Sequence, residues 1–304
     1  MKITASALIA AVFACALACG PDAHETPKAP PCPPPPEPAH QAVVVGTIGK
    51  MHMVESRYPL ARLGDVFAAF KPDLVLVGVR VDAFRQDQLE DASFEMTYVQ
   101  HLATARGVPV EPIGWFREAD LTAPPAALDP FDVVEIEKRE AEILHAPRLY
   151  TFEQANGAEL EEKVLLATAA VARHRGGDPL SSRRRAWMQH LAADAVRRHD
   201  KPKRVLAFVD VLDRPAVDLV LRGVGYDGKM AADVVANSKE ILAGGDIPGE
   251  VIDRWRAQLA RAKERAAKAS DADKPFWEDR ARVLEVVVDK KAACCVTQAS
   301  LSAH

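Results

Sequence analysis

Cysteine is scarce in this chain, with five in 304 residues, and their spacing matches neither a zinc site nor a disulfide framework. Two of them, Cys15 and Cys19, lie in an apolar N-terminal segment. Cys32 lies in a proline-rich stretch, and Cys294 and Cys295 are adjacent near the C-terminus. The sequence therefore supports no cysteine-built site, while a strained bridge within the adjacent pair, or one to Cys32, stays open.

The chain also lacks an excess of positive charge. Its 39 Lys and Arg residues are outnumbered by 43 Asp and Glu, which gives a net charge of -4, and the only dense basic cluster is Arg183–Arg185. No basic stripe runs along the sequence, so a nucleic-acid partner is not expected. Apolar residues, at 48%, are ample for a hydrophobic core.

No apolar run is long enough for a membrane span, which needs about 20 residues. The longest covers residues 3–18 and follows Lys2, an arrangement typical of an export signal. It ends in Ala-Leu-Ala-Cys-Gly, which resembles a bacterial lipobox and implies a signal peptide at 1–18 and acylation (palmitate) of Cys19. Gly20 after the cysteine implies the outer membrane of the cell envelope, reached through a lipid anchor. A plain secretory signal is the alternative.

Proline dominates the segment that follows. Residues 20–40 have no apolar periodicity and cannot offset the entropy of ordering by burial, so residues 19–40 are predicted to be the lipidated cysteine and an extended tether. A proline-rich recognition motif is the alternative.

Strand and helix signals alternate through the rest of the chain. Short apolar, β-branched runs predict strands at 42–46, 73–79, 108–114 and 204–209. Apolar residues at helical spacing separate them and continue in two stripes, at 252–266 and 277–288. The order predicts an α/β fold over 41–245, with a mostly parallel sheet flanked by helices and a helical C-terminal extension at 246–304. Prolines place the third strand at a sheet edge or a strand terminus.

The carboxyl ends of parallel strands are where ligands bind in such folds. His52 follows the first predicted strand, and Asp210 and Asp213 follow the last. An imidazole and two carboxylates suit a divalent ion or acid–base chemistry. The structural alternatives are a hydrogen-bonded loop histidine for His52 and a helix cap for Asp213.

Several segments resemble the TraB/GumN/Tiki-like family of the EreA/ChaN-like superfamily, in the right order over residues 42–225. They are Gly49–His52, Phe70–Val77, Phe94–Met96 with Ala105–Val110, and Arg185–Met188 with Lys203–Val209. The resemblance implies an α/β domain and, as in several members, metal-dependent hydrolysis or peptide cleavage. Other members of the superfamily are esterases or haem-binding lipoproteins.

The resemblance also implies roles for individual residues. Glycines, Gly78 and Gly114, stand where the family has acids, and the loss of one acid–base group typically costs about 10²–10⁴-fold in rate. The site is therefore expected to be depleted and roomy. The implied roles are His52 and Glu95 as catalytic residues, His52, Asp210 and Asp213 as ligands of a weakly bound divalent metal ion, and Arg185 as a contact to an anionic substrate group.

Together these patterns predict a lipid-anchored envelope lipoprotein with a metallohydrolase-like domain that is weak or inactive and retains ligand or metal binding. A non-catalytic binding or scaffold lipoprotein, with a small-molecule or peptide ligand, is one alternative. An active peptidase or esterase with a remodelled site is another. A coordination sphere shared by His52, Asp210 and Asp213 would separate them.

Overall fold

The architecture is that of a computed structural model, which describes residues 40–115, 138, 150–174, 179–237 and 247–290, and the side chains of these except 170–182. Contacts divide the chain between Glu37 and Pro38, and every element described below belongs to the second unit, Pro38–His304. The predicted signal peptide, Cys19, the tether up to residue 39 and the C-terminal cysteine pair lie outside the described residues.

Five parallel strands form the sheet, in the order β3-β2-β4-β1-β5. They are β1 Gln41–Thr47, β2 Leu74–Arg80, β3 Val110–Gly114, β4 Arg204–Asp210 and β5 Asp227–Lys229. This confirms the predicted α/β class and the first four strands. The third strand is an edge strand, which accommodates Pro112. β5 was not predicted, because Asp-Gly-Lys carries no apolar signature.

The central strands are apolar on both faces, because helices cover both sides of the sheet. Val43 and Val45 of β1 join a large core on one face, whereas Ala42 and Val44 join a smaller core on the other. The same alternation continues in β4, where Phe208 belongs to the large core. The near-continuous hydrophobic runs of these strands follow from this double burial.

Helices of the described segments cover the two faces unequally. α1 Ala61–Phe70 and α3 Glu95–Thr104 lie on the face with the large core, and α6 Pro179–Arg198 and α7 Arg214–Gly223 lie on the other. The remaining helices are α2 Val81–Arg85, α4 Phe152–Ala155, α5 Ala158–His174, α8 Ala231–Ala236, α9 Gly249–Lys268 and α10 Lys274–Asp289. None of the helices in these ranges is long and apolar enough to cross a membrane.

The C-terminal helical region is confirmed, and it shares the large core. α9 and α10 pack against each other, and α9 packs on α3. The Trp255 indole is fully buried and donates a hydrogen bond from Nε1 to the Phe94 carbonyl, at 3.0 Å. Gln258 donates to the Thr97 hydroxyl at 2.8 Å in the same interface. The predicted apolar stripe of α9 is therefore a packing surface.

The topology places a crevice on each side of β4. α1, which follows β1, and α3, which follows β2, lie on the large-core face, as do α4 and α5, whereas α6, before β4, and α7, after it, lie on the other. Since β4 lies between β2 and β1, the chain leaves neighbouring strands in opposite directions at their carboxyl ends. In open α/β sheets this switch point is where ligands bind.

Candidate functional site at the carboxyl ends of the strands

A buried polar network lies at the carboxyl end of β1, on the side of the strand that faces away from β4. β5 ends opposite Val43, so Gly46 has no strand on that side among the described residues. Its N–H donates to Asn156 Oδ1 at 2.9 Å, and its carbonyl accepts from the Tyr58 hydroxyl at 2.8 Å. A methyl group added at Gly46 would lie 3.0 Å from the Ala155 carbonyl oxygen. The chain at the end of α4 thus packs directly against the end of β1.

His52 is fully buried beneath this network, in a 3-10 helix at Gly49–Met53. Its Nε2 lies 3.3 Å from the Ile48 N–H, which can only donate, so Nε2 accepts and the ring proton is on Nδ1. Nδ1–H then donates to the Tyr58 carbonyl at 2.9 Å. The Tyr58 ring packs edge-on against the imidazole. Both ring nitrogens are therefore bonded to backbone.

Electrostatics keep this imidazole neutral. Burial lowers the pKa of His52 below its ordinary value of 6.5, and the Glu95 carboxylate and the bond to Tyr58 offset only part of that effect. Burial likewise raises the pKa of the Tyr58 hydroxyl well above its usual range. The geometry is that of a core histidine, which is the structural alternative stated from the sequence.

Glu95 is the predicted residue that the structure brings near His52. It lies in the first turn of α3, fully buried, and its Oε2 accepts a short hydrogen bond from the Ser93 hydroxyl. Its Oε1 accepts no hydrogen bond from the described part of the chain. The half-buried Arg280 guanidinium interacts electrostatically with Glu95: burial lowers the pKa of Arg280, and Asp279, Asp91 and Glu95 oppose that shift.

The two aspartates make other contacts. Asp210 Oδ1 accepts the Leu212 N–H at 2.9 Å in a local turn. Asp213 is buried, and its Oδ2 accepts from Arg184 Nη2 at 2.5 Å. Although Asp213 occupies the position before α7, its side chain makes no capping bond, so the predicted cap is also not formed. Neither carboxylate bonds to the His52 ring.

The helix contact to this region comes from Arg184, one residue before the predicted Arg185. Arg184 pairs with Asp213, whereas Arg185 is half-buried and forms no ion pair or hydrogen bond with the residues that the structure describes. Since adjacent residues on a helix point in directions about 100° apart, Arg185 does not share the orientation of Arg184. The contact between Arg185 and an anionic substrate group stays a prediction.

The two glycines that stand for family acids lie against backbone. A methyl group added at Gly114 would lie 2.6 Å from the Val79 carbonyl carbon, and one added at Gly78 would lie 3.3 Å from Val209 Cα. The register of β2 and β3 shifts between Val77 and Arg80, next to the close contact at Gly114. The expected roomy cleft is therefore absent at these two positions, because the backbone of a neighbouring strand occupies the space beside each glycine.

These residues do not fit the divalent ion that the resemblance implies. A metal ligand needs an available lone pair, and both nitrogens of His52 already bond to backbone. Within the described ranges, no group of three or more His, Cys, Asp or Glu residues is placed to hold a metal ion. A metal site stays a prediction of the sequence, and no chemical step is derived through it.

Two buried residues at the carboxyl ends of the strands were not predicted as part of a site from the sequence. Arg214 is buried and donates from Nη2 to the Gly157 carbonyl at 2.8 Å and to Glu161 Oε2 at 2.9 Å. Asn156 lies in a Gln-Ala-Asn-Gly stretch that is typical of a turn. Both residues act through contacts distant in sequence, which composition and spacing do not record.

Comparison with known proteins adds no relative: no family model, no curated protein and no solved structure matches the chain.

Proposed function

We propose that the chain is a lipid-anchored protein of the bacterial cell envelope, at the outer membrane, whose α/β domain acts by binding a small molecule or peptide rather than by hydrolysing it. The anchor rests on the Ala-Leu-Ala-Cys-Gly segment at 16–20. The proposed absence of catalysis rests on one observation: His52 is fully buried, and both of its ring nitrogens form hydrogen bonds to the backbone.

A general base or a metal ligand must offer a lone pair to its target. Nε2 of His52 accepts a hydrogen bond from the Ile48 N–H, and Nδ1–H of the same ring donates to the Tyr58 carbonyl. Turning the ring toward a substrate would strand two buried backbone groups, at about 1–3 kcal/mol each. The lowered pKa of His52 also disfavours the protonated form that a general acid requires. This arrangement supports a structural role for the best predicted catalytic residue.

The anchor is tested by Cys19→Ser in the full chain. We expect the variant to lose its acyl group and leave the membrane fraction, as read by mass spectrometry and by membrane partitioning. Cys15→Ser is the matched control, since Cys15 lies within the predicted signal peptide and its loss is expected to change neither result. Lipidation that survives Cys19→Ser, or that disappears in Cys15→Ser, contradicts the anchor.

The absence of catalysis is tested with full-length protein in detergent. We expect p-nitrophenyl acetate and an unstructured peptide to be turned over no faster by the wild type than by Glu95→Gln, with or without added Mn²⁺. Circular dichroism checks that the variant folds. Metal-dependent turnover that Glu95→Gln abolishes in a folded protein would establish a hydrolase and overturn the proposal.

A further inference from the structure

We propose that Asn156 is a deamidation site that the fold keeps unreactive, and that conversion of its side-chain amide to a carboxylate detaches α4 from the end of β1. The chain contains two asparagines, Asn156 before Gly157 and Asn237 before Ser238. In deamidation the backbone nitrogen of the following residue attacks the side-chain amide, and a glycine hinders that approach least because it has no side chain. Asn156 is therefore the more reactive of the two by sequence. Neither the lipid anchor nor ligand binding is needed for this reaction.

Packing at the end of β1 accounts for both residues of this reactive pair. The buried Gly46 N–H needs an acceptor, and Asn156 Oδ1 accepts it at 2.9 Å. A methyl group added at Gly157 would lie 2.7 Å from the Glu153 carbonyl oxygen, so a residue with a side chain would push the turn after α4 apart. The contacts that close this turn thus require a sequence that is chemically labile.

The fold holds the Asn156 amide away from the attacking nitrogen. Asn156 is fully buried, and its Nδ2 donates to the Phe152 carbonyl at 3.0 Å and to the Tyr58 hydroxyl at 3.4 Å. Its backbone has a ψ of 13°, and a ψ near zero places Gly157 N beside the Asn156 nitrogen, away from the side chain. Ring closure therefore requires a backbone rotation and the loss of these bonds, which means a local opening of the network.

The reaction needs no co-reactant other than water. In the fold Gly157 N–H donates to the Gln154 carbonyl at 3.3 Å. In the opened segment it loses its proton to hydroxide, and the nitrogen attacks Asn156 Cγ. Nδ2 takes a proton from water and leaves as ammonia, which closes a five-membered succinimide ring. Hydrolysis at either ring carbonyl gives aspartate or isoaspartate, and no atom is oxidised or reduced.

The product does not fit the network. A carboxylate cannot donate, so the α4 carbonyl that accepted from Nδ2 loses its partner and faces a negative charge. The Tyr58 hydroxyl would donate to that carboxylate only by releasing the Gly46 carbonyl, which it binds at 2.8 Å. Arg214, which donates to the Gly157 carbonyl, already pairs with Glu161 at 2.9 Å. A buried charge without a partner is strongly destabilising, so α4 moves away from β1.

Peptide mass spectrometry of full-length protein in detergent, kept at mildly alkaline pH, follows both asparagines at once. Asn237 is the internal control, because it is exposed and its Nδ2 donates to the Asp233 carbonyl on the same helix. In concentrated guanidinium chloride we expect Asn156 to convert faster than Asn237. In the folded protein we expect the reverse order, with Asn156 slowed at least about tenfold, since it reacts through a small open population.

The effect of the product is tested with Asn156→Asp, and Asn237→Asp is the matched control. We expect the Gly46 amide hydrogen to exchange with solvent at least about tenfold faster in Asn156→Asp than in the wild type, and at the wild-type rate in the control. The first experiment uses no variant, so it stays decisive if Asn156→Asp does not fold.

Three results would each overturn the proposal. Conversion of Asn156 at the same rate in folded and unfolded protein contradicts protection by the fold. Absence of conversion in guanidinium chloride contradicts the reactivity of the site. Unchanged exchange of the Gly46 amide in folded Asn156→Asp contradicts the detachment of α4.

Discussion

His52→Ala separates a structural histidine from a catalytic one. The substitution removes a fully buried imidazole and both of its hydrogen bonds, so the Ile48 N–H and the Tyr58 carbonyl lose their partners inside the core. Two stranded groups at about 1–3 kcal/mol each, with a cavity added, predict a loss of about 3–6 kcal/mol in the free energy of unfolding. That loss is a large fraction of the 5–15 kcal/mol typical of a domain.

Guanidinium unfolding followed by circular dichroism measures this loss. His101→Ala is the matched control, since His101 lies on α3, is half-buried, and its Nδ1 lies 3.5 Å from the exposed Glu250 carboxylate. We expect the control to cost less than about 1 kcal/mol, because it leaves no buried backbone group without a partner. A similarly small cost for His52→Ala would refute the reasoning, because a histidine kept for catalysis contributes little to folding.

Three further predictions concern the same edge of the sheet. Because the folded pKa of His52 is lowered below 6.5, stability is complete above that pH and falls as the pH drops, by at most about 1.4 kcal/mol per unit, until the folded pKa is reached. His52→Gln is expected to flatten this part of the stability–pH curve. Gly114→Ala places a methyl group against the backbone of β2, and we expect it to lower the free energy of unfolding by about 1–3 kcal/mol in denaturant titrations. Gly223→Ala is its control, because the space around Gly223 is open, and we expect that substitution to be neutral or stabilising. Asn156→Ala strands the N–H at the end of β1 and is expected to cost about 2–3 kcal/mol, and equal melting temperatures for variant and wild type would contradict the network.

The fold could be predicted because buried strands and helices have characteristic spacings of apolar residues along the sequence. Val43–Val45 and Val205–Val209 are apolar on both faces, which is the signature of strands covered by helices on either side. The stripe through Ile252, Trp255 and Ala262 identified a packing helix for the same reason. β5 was missed because a three-residue edge strand buries too little to leave such a pattern.

The site was less predictable, because its chemistry depends on which groups meet in space. The G-x-x-H segment predicted a catalytic or metal-binding role for His52, whereas the structure shows both of its ring nitrogens bonded to the backbone of Ile48 and Tyr58. The glycine at 114 was interpreted as a missing acid, whereas the approach of Val79 requires a residue without a side chain there. The sequence does not record such a distance.

The buried ion pairs of Glu90 with two arginines of α9 could not be predicted from the sequence. Glu90 belongs to a loop after β2, and its arginine partners stand about 170 positions later on α9. Neither segment carries a motif, and each charge taken alone is typical of a solvated surface. Burial of Glu90 to 1% exposure becomes evident only once α9 packs over the loop.

The imidazole resonances of His52 test the account most directly. Two-bond nitrogen–proton correlation spectra report which ring nitrogen carries the proton and whether a metal ion binds the other. The account predicts a neutral ring with the proton on Nδ1, no titration near the ordinary pKa of 6.5, and no shift when one equivalent of Zn²⁺ or Mn²⁺ is added. A proton on Nε2, a titration near that pH, or a shift at one equivalent of metal would contradict it and restore His52 as a functional group.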